Sequence, residues 1–437
     1  MVNFIVKYYQ LLLLLGIWTI AGVYDPLLGY LLIIAGIVIL ISKNLFTELL
    51  MGFIFILIMD DNIYNHIFMF TPVAKMFYIL ALSFFFTVST RVFFPVFRIF
   101  LWFAPFFALA LVTLFLNSPV MDEGFQKTIS YLLVVIVVPN YLLQAYRKSG
   151  PEVFKDLFYF GILVIIAGFV VMIFGKEYVM IKGRYAGIFG NPNGLGIFCT
   201  LLFLLYSLSE EFYPSLYSRA DKFLFFGFII LSLVLAASRT AYLALGIFFL
   251  FRLFHGISPF LSFTMLIAVL VGYELIFFNI VEIIRFFKLE AYFRLHTLTE
   301  ASGRIIAWNY SMDEINRNFF MGRGFHYDVF YFRQHYSILQ KMGHEGLVHN
   351  SFLSIWLNTG IIGLLSFLAP LLYLIFRTST VSVLAIPILY TVLTSSFLES
   401  WLAASLNPFS VFFWIILTML NSHEIYGQKE TDTISVH

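Results

Sequence analysis

The chain has 437 residues, 61% of them hydrophobic and 20% aromatic, with only 11% charged. A soluble domain of that length could not bury so much apolar surface, so lipid must cover much of it. A net charge of +2 without any basic tract argues against a nucleic-acid surface, and the single cysteine, Cys199, excludes an intramolecular disulfide and a cysteine-based metal site.

The first apolar stretch, within residues 1–30, carries Lys7 and then the leucines 11–15, as a signal peptide would. A second apolar run follows at once and no small-residue cleavage site stands out, so it reads as a retained first span. A helix needs roughly 17–25 apolar residues to cross a bilayer. Candidate runs centre on 4–24, 27–42, 45–59, 73–89, 94–116, 128–145 and 157–174. Seven more follow at 194–208, 222–237, 240–254, 259–278, 350–375, 380–397 and 404–420. Several are short, so the expected fold is an all-α polytopic transmembrane bundle of 12–14 spans. The expected organisation is an N-terminal bundle of about eleven spans over 1–278, an extracytoplasmic segment over 279–349, about three spans over 350–420 and a polar cytoplasmic tail over 421–437.

Basic residues set the orientation. Lys43, Arg91, Arg98, Arg147, Lys148, Lys155, Arg219, Lys222, Arg252 and Arg377 fall on alternate loops, whereas Asp25, Asp60, Asp61, Asp122, Glu123 and Glu399 fall on the others. Both termini are therefore expected in the cytoplasm. Two arginine-bearing pieces, 175–193 and 279–350, then lie outside against the charge rule, which suggests that they bind something anionic. The long segment holds Arg294, Arg304, Arg317, Arg323 and Arg333 together with His296, His326, His335, His344 and His349.

Within that segment, Ile305, Trp308, Met312 and Ile315 share one face of an expected amphipathic helix that starts near Ser302 and lies on the membrane or on the bundle. A second helix is expected over 327–341, capped by Gly343, with Gly322-Arg323-Gly324 as the turn between them.

Four features could carry chemistry. Residues 183–194 (GRYAGIFGNPNG) lead into a span; Asn193 could cap the helix, and its N-terminus with Arg184 would suit a phosphate. An ordinary tight turn is the other reading. Ser238-Arg239-Thr240 is wedged between two apolar runs, where an arginine either serves a wet cavity or snorkels to the interface. Ser302-Gly303-Arg304 opens the amphipathic helix, and a headgroup contact would explain it equally well. His349-Asn350 sits just before a span; a histidine there is either structural or, with an ordinary pKa near 6.5, a general base for a hydroxyl. No HExxH pair, DxD or Walker A motif occurs, and Asp313, Glu314, Asp328 and Glu345 are scattered, so no metal site and no ATP chemistry are expected.

Taken together, these residues resemble the bacterial O-antigen ligase and polymerase superfamily, over roughly residues 175–375. The ligases carry a His-Asn, His-Ser or His-Gln pair, nine residues, a glycine, two residues and then a glycine, threonine or tyrosine. Here that reads His349-Asn350, 351–359, Gly360 and Gly363. The family's intramembrane arginine is similar to Arg239 in Ser238-Arg239-Thr240-Ala241, and its loop arginine to Arg304, four residues before Trp308. The stretch from Arg184 to Asn193 is also similar to one found among members.

The resemblance implies transfer of a glycan from an undecaprenyl-diphosphate-linked oligosaccharide to an acceptor glycan, outside the bacterial cytoplasmic (inner) membrane. It implies Arg239 and Arg304 on the diphosphate, Arg184 and Asn193 in substrate binding, and His349 as the base on the acceptor hydroxyl, with inversion and with neither metal nor other cofactor. Membrane lipid and other polysaccharide-assembly proteins are the implied partners. The span count exceeds the usual twelve of the ligases and leans towards a polymerase. A ligase acting on lipid A-core or protein, and a flippase for lipid-linked glycans, are the alternatives. The flippase would need more charge near the middle of its spans.

Overall fold

A computed structural model describes residues 1–62, 64, 66–258, 260–262, 264, 265, 268, 286, 304–341 and 346–427. Most of the expected span at 259–278, together with Ser302, Gly303, the Gly343 cap, Arg294, His296 and His344, lies outside them.

Thirteen of the fourteen apolar runs fall on helices. In chain order these are α1 (Val2–Tyr24), α2 (Pro26–Ser42), α3 (Phe46–Asp60), α4 (Thr71–Val88), α5 (Ala104–Asn117), α6 (Met121–Ser149) and α7 (Glu152–Phe174). Then come α8 (Pro192–Phe212), α9 (Arg219–Ala236) and α10 (Arg239–Ile257). The long segment contributes α11 (Arg304–Arg317), α12 (Tyr327–Gln334) and α13 (Tyr336–Lys341), and the chain returns to the bundle with α14 (Ser351–Thr378), α15 (Ala385–Leu398) and α16 (Pro408–Asn421). Among the described residues, eight helices are long and apolar enough to cross a membrane and three more are apolar but shorter. The protein is a multi-pass membrane protein built as an all-α bundle.

Several boundaries move for local reasons. The run 94–116 is not helical from its start, because Pro95 brings no N–H; a 3-10 turn at Ile99–Phe103 leads into α5. Helix α6 extends past its apolar run at both ends, with Asp122 and Glu123 in its first turn and Arg147 and Lys148 in its last, each complementing the helix dipole. The region 222–254 is two helices: Ala237 is left-handed at φ 45°, and Ser238 caps α10 by accepting from the Ala241 N–H.

The two ends of the bundle keep separate company. At one end Lys7 pairs with Asp156 at 2.6 Å, Lys222 with Glu210, and Arg147 with Glu424 at 2.6 Å, while the Ser382 hydroxyl donates to Glu211. At the other, Asn62 bridges to Phe189, and the starts of α8, α10 and α14 gather around the end of α15. Helices α8 and α16 form the centre, buried along nearly their whole length, with Trp414 fully enclosed. In α1 only one face is buried, through Leu11, Leu15 and Trp18, and Leu13, Ile17 and Ile20 are left outward, as lipid contact requires.

Helix α14 is interrupted at Gly360, which has φ 70°. There the segment following α11 crosses the helix, and the Ile361 N–H donates to the Phe319 carbonyl at 2.9 Å. A side chain at Gly360 would overlap the Phe320 carbonyl, and one at Gly322 would lie 2.6 Å from the Asn358 carbonyl oxygen. The turn at Gly322-Arg323-Gly324 is present, with Arg323 and Gly324 donating to the Leu357 and Asn358 carbonyls. This crossing seats α11 and α12 on α14 around a second small core that includes Ala307, Ile315, Tyr331, Phe332 and Leu357.

Two expectations for this segment are corrected. The expected helix 327–341 is broken at His335, whose ring lies 2.9 Å from the Tyr331 carbonyl and whose backbone leaves the helical region. The buried face of α11 runs through Ala307, Ser311, Glu314 and Ile315, whereas Trp308 and Met312 are only half-buried. The shift follows from Glu314, which is drawn inward by donors from Arg317, Asn318 and Tyr327.

Candidate functional site

The site forms where the ends of several chain segments meet. A two-residue hairpin turn at Lys182-Gly183, both with positive φ, folds strand β1 (Met180–Ile181) onto β2 (Arg184–Tyr185). This aims Arg184 back at the helix ends. Its Nε donates to the Ala236 carbonyl at the end of α9, and its Nη2 to Asn193 Oδ1, both at 2.9 Å.

Asn193 does not cap α8. Pro192 takes the first helical position, for which its fixed φ is suited, so the cap is Asn191, whose side chain accepts from the Gly194 N–H at 2.7 Å. Asn193 is thereby left to bridge. Its Oδ1 accepts from Arg184 and, at 3.3 Å, from the Ser238 hydroxyl, and its Nδ2 donates to Glu399 Oε1 at 2.8 Å.

Glu399, just beyond the end of α15 and only 9% exposed, is the centre of the arrangement. Oε1 also accepts from Arg304 Nη2 at 2.6 Å, and Oε2 lies 3.2 Å from His349 Nδ1. An ionised carboxylate only accepts, so Nδ1 is the donor in this contact. The backbone around Glu399 is pinned as well: its carbonyl accepts from the Ser351 hydroxyl at 2.8 Å, and the Asn350 N–H donates to Ser400 Oγ at 3.0 Å.

His349 has a left-handed backbone, φ 49°, immediately before Asn350, which caps α14 by accepting from the Phe352 and Leu353 N–H groups. Positive φ is uncommon for a side chain beyond glycine, asparagine and aspartate, and such conformations persist where surrounding contacts enforce them. Here the cap on one side and Glu399 on the other supply that enforcement.

The structure therefore brings Arg184, Asn193, Arg304 and His349 into one hydrogen-bonded cluster. Arg239 is placed differently. It opens α10 one residue beyond Ser238, at the same end of the bundle, and is exposed. Two guanidiniums meet the Glu399 carboxylate, Arg304 directly and Arg184 through Asn193, beside the N-terminal dipoles of α8 and α10.

Glu399 went unrecognised in the sequence as a member of the site. Its only signal there was an acidic residue closing an apolar run on the side that carries the arginines. Among the described residues no group of three or more His, Cys, Asp or Glu side chains is arranged to hold a metal ion.

No curated protein matches the chain. Residues 224–368, a part of the chain that contains Arg239, Arg304 and His349, match the family model described as O-Antigen ligase, so this region is similar to that family.

Proposed function

We propose that the protein transfers a glycan from an undecaprenyl-diphosphate carrier to a sugar hydroxyl on the extracytoplasmic side of the bacterial inner membrane, polymerising surface-polysaccharide repeat units. The observation that carries this reading is the Glu399 carboxylate, which joins Arg304, His349 and, through Asn193, Arg184. The acceptor O–H attacks the anomeric carbon and its proton passes to His349 Nε2. The bond from that carbon to the diphosphate oxygen breaks, and the leaving group departs with the electron pair. Charge grows on the diphosphate as it leaves, and fixed guanidiniums in a partly dry site stabilise that charge most. Arg304, Arg239 and Arg184 take this role. One displacement of this kind inverts the anomeric centre. Glu399 holds the imidazole in its productive tautomer and keeps Arg304 in place before the donor arrives.

A ligase differs only in its acceptor, and the match to an O-antigen ligase family favours that second reading. The test uses purified protein in detergent with the host's carrier-linked repeat unit, with EDTA and without added metal, beside His349→Ala and Arg304→Ala. A ladder of multimers that both variants lose supports polymerisation. Transfer only after lipid A-core or another acceptor is added supports the ligase. No turnover with any acceptor, alongside carrier movement across liposomes, overturns glycan transfer in favour of a flippase.

A further inference from the structure

A cavity of about 160 Å³ adjoins the site and has a different chemistry from it. Val348 and Ser400, the chain neighbours of His349 and Glu399, both line it. Among the described residues its charged groups are Lys127 from α6 and Asp328 from α12. Asp328 is 7% exposed, and its two oxygens are treated unequally. Oδ2 accepts from the Ser354 hydroxyl, whereas Oδ1 is buried with no hydrogen-bond partner among the described residues. A buried carboxylate oxygen without a donor is unfavourable, so Oδ1 is an acceptor that a ligand hydroxyl would satisfy.

Lys127 Nζ lies 3.1 Å from His326 Nδ1, and His326 Nε2 lies 2.7 Å from Glu123 Oε2. That chain fixes the ammonium as donor, the neutral imidazole as relay and Glu123 as final acceptor. Burial and then Lys127 hold the His326 pKa below its ordinary value, in agreement with a neutral ring. An ammonium has three N–H donors, and this contact uses one.

We propose that this cavity is the acceptor-sugar subsite, with Asp328 accepting from ring hydroxyls and Lys127 donating to ring oxygens. The inference rests on the glycan-transfer reading above. One positive and one negative group side by side suit a neutral polyol, whereas a diphosphate would be repelled by Asp328 and a polyprenyl chain by both. Val329, Leu347 and Ala403 supply the apolar wall on which a pyranose face packs. The volume is about ten times the ~15 Å³ that one water needs, which accommodates a sugar ring and not a long isoprenoid.

The test is site occupancy, read without turnover. Cys199 is buried, so Ala404→Cys on the cavity wall adds a thiol that a small methanethiosulfonate reagent can report. The probe is the host repeat-unit oligosaccharide released from its carrier. It is expected to slow labelling at least threefold, and that protection is expected to vanish on adding Asp328→Asn or Lys127→Met. In otherwise unaltered protein, the same two substitutions should raise the acceptor KM at least tenfold while the donor KM changes less than twofold. Transfer by the wild type without protection at Ala404→Cys overturns the subsite and leaves glycan transfer standing. Protection that survives both substitutions overturns it too. Absence of transfer by the wild type counts against the transfer reading instead, because labelling needs no reaction. Lys127→Met guards against a folding defect in Asp328→Asn, whose side chain also receives Ser354.

Discussion

Arg304 and Glu399 stand 95 residues apart in the chain and meet at 2.6 Å, with side chains 19% and 12% exposed. The pair ties the start of α11 to the end of α15, and it shares Glu399 with His349. Severing a largely buried pair of this kind strands the surviving charge, at a cost of about 3–5 kcal/mol. The same residue therefore bears on both stability and chemistry.

Replacing Glu399 with Gln preserves shape but removes the charge that orders Arg304 and His349. Transfer should fall about 100-fold in kcat, a rise of roughly 2.7 kcal/mol in the barrier. Glu399→Ala should cost more, because neither partner keeps a bond. Initial rates at saturating donor, with thermal unfolding of the same preparations, separate the two effects. Wild-type rates for Glu399→Gln would rule out its positioning role.

Arg184 binds two acceptors through different nitrogens, which a lysine cannot imitate. Arg184→Lys should lower transfer about tenfold, and Arg184→Lys combined with Asn193→Ala should cost much less than the sum of the two. Arg239 is exposed at the start of α10, so Arg239→Ala should raise the donor KM and couple less strongly to Asn193→Ala than Arg184→Lys does. A double-mutant cycle on donor kinetics decides between these patterns.

Gly360 is required by backbone, not by chemistry. Gly360→Ala adds a Cβ at φ 70° against the Phe320 carbonyl, and it should reduce folded yield severely. Gly227→Ala meets nothing within 4 Å and should leave yield and melting temperature unchanged or slightly improved. Fluorescence-detected gel filtration of the two variants makes the comparison.

Asp61, one residue beyond α3, is pushed up to about 7, first by burial and then by the neighbouring Asp60. Its Oδ2 has no hydrogen-bond partner among the described residues. The folded carboxyl holds its proton to a higher pH than the unfolded one, near 3.9. The contribution to stability is therefore fully present below about pH 4 and is lost as pH rises through about 7. Asp61→Asn should remove this dependence and raise the melting temperature more at pH 8 than at pH 5. Thermal unfolding of both proteins at the two pH values checks the sign. An equal shift at both would show that protonation is not the cause.

The long apolar runs determined the bundle by themselves, because length and hydropathy are local properties and lipid rewards them one helix at a time. Local sequence singled out Arg184, Asn193, Arg239, Arg304 and His349 as candidates, through their places beside apolar runs and helix starts and through a family resemblance. Tertiary structure decided how they combine. Glu399 became the hub only when the end of α15 met the starts of α8, α11 and α14. Asn193 became a bridge because Pro192 moved the helix cap to Asn191. Asp328 stands beside Lys127 because the segment after α11 crosses α14 at Gly360. A hydrogen bond depends on a separation of about 3 Å in space, and no pattern along the chain encodes that between residues dozens to hundreds of positions apart.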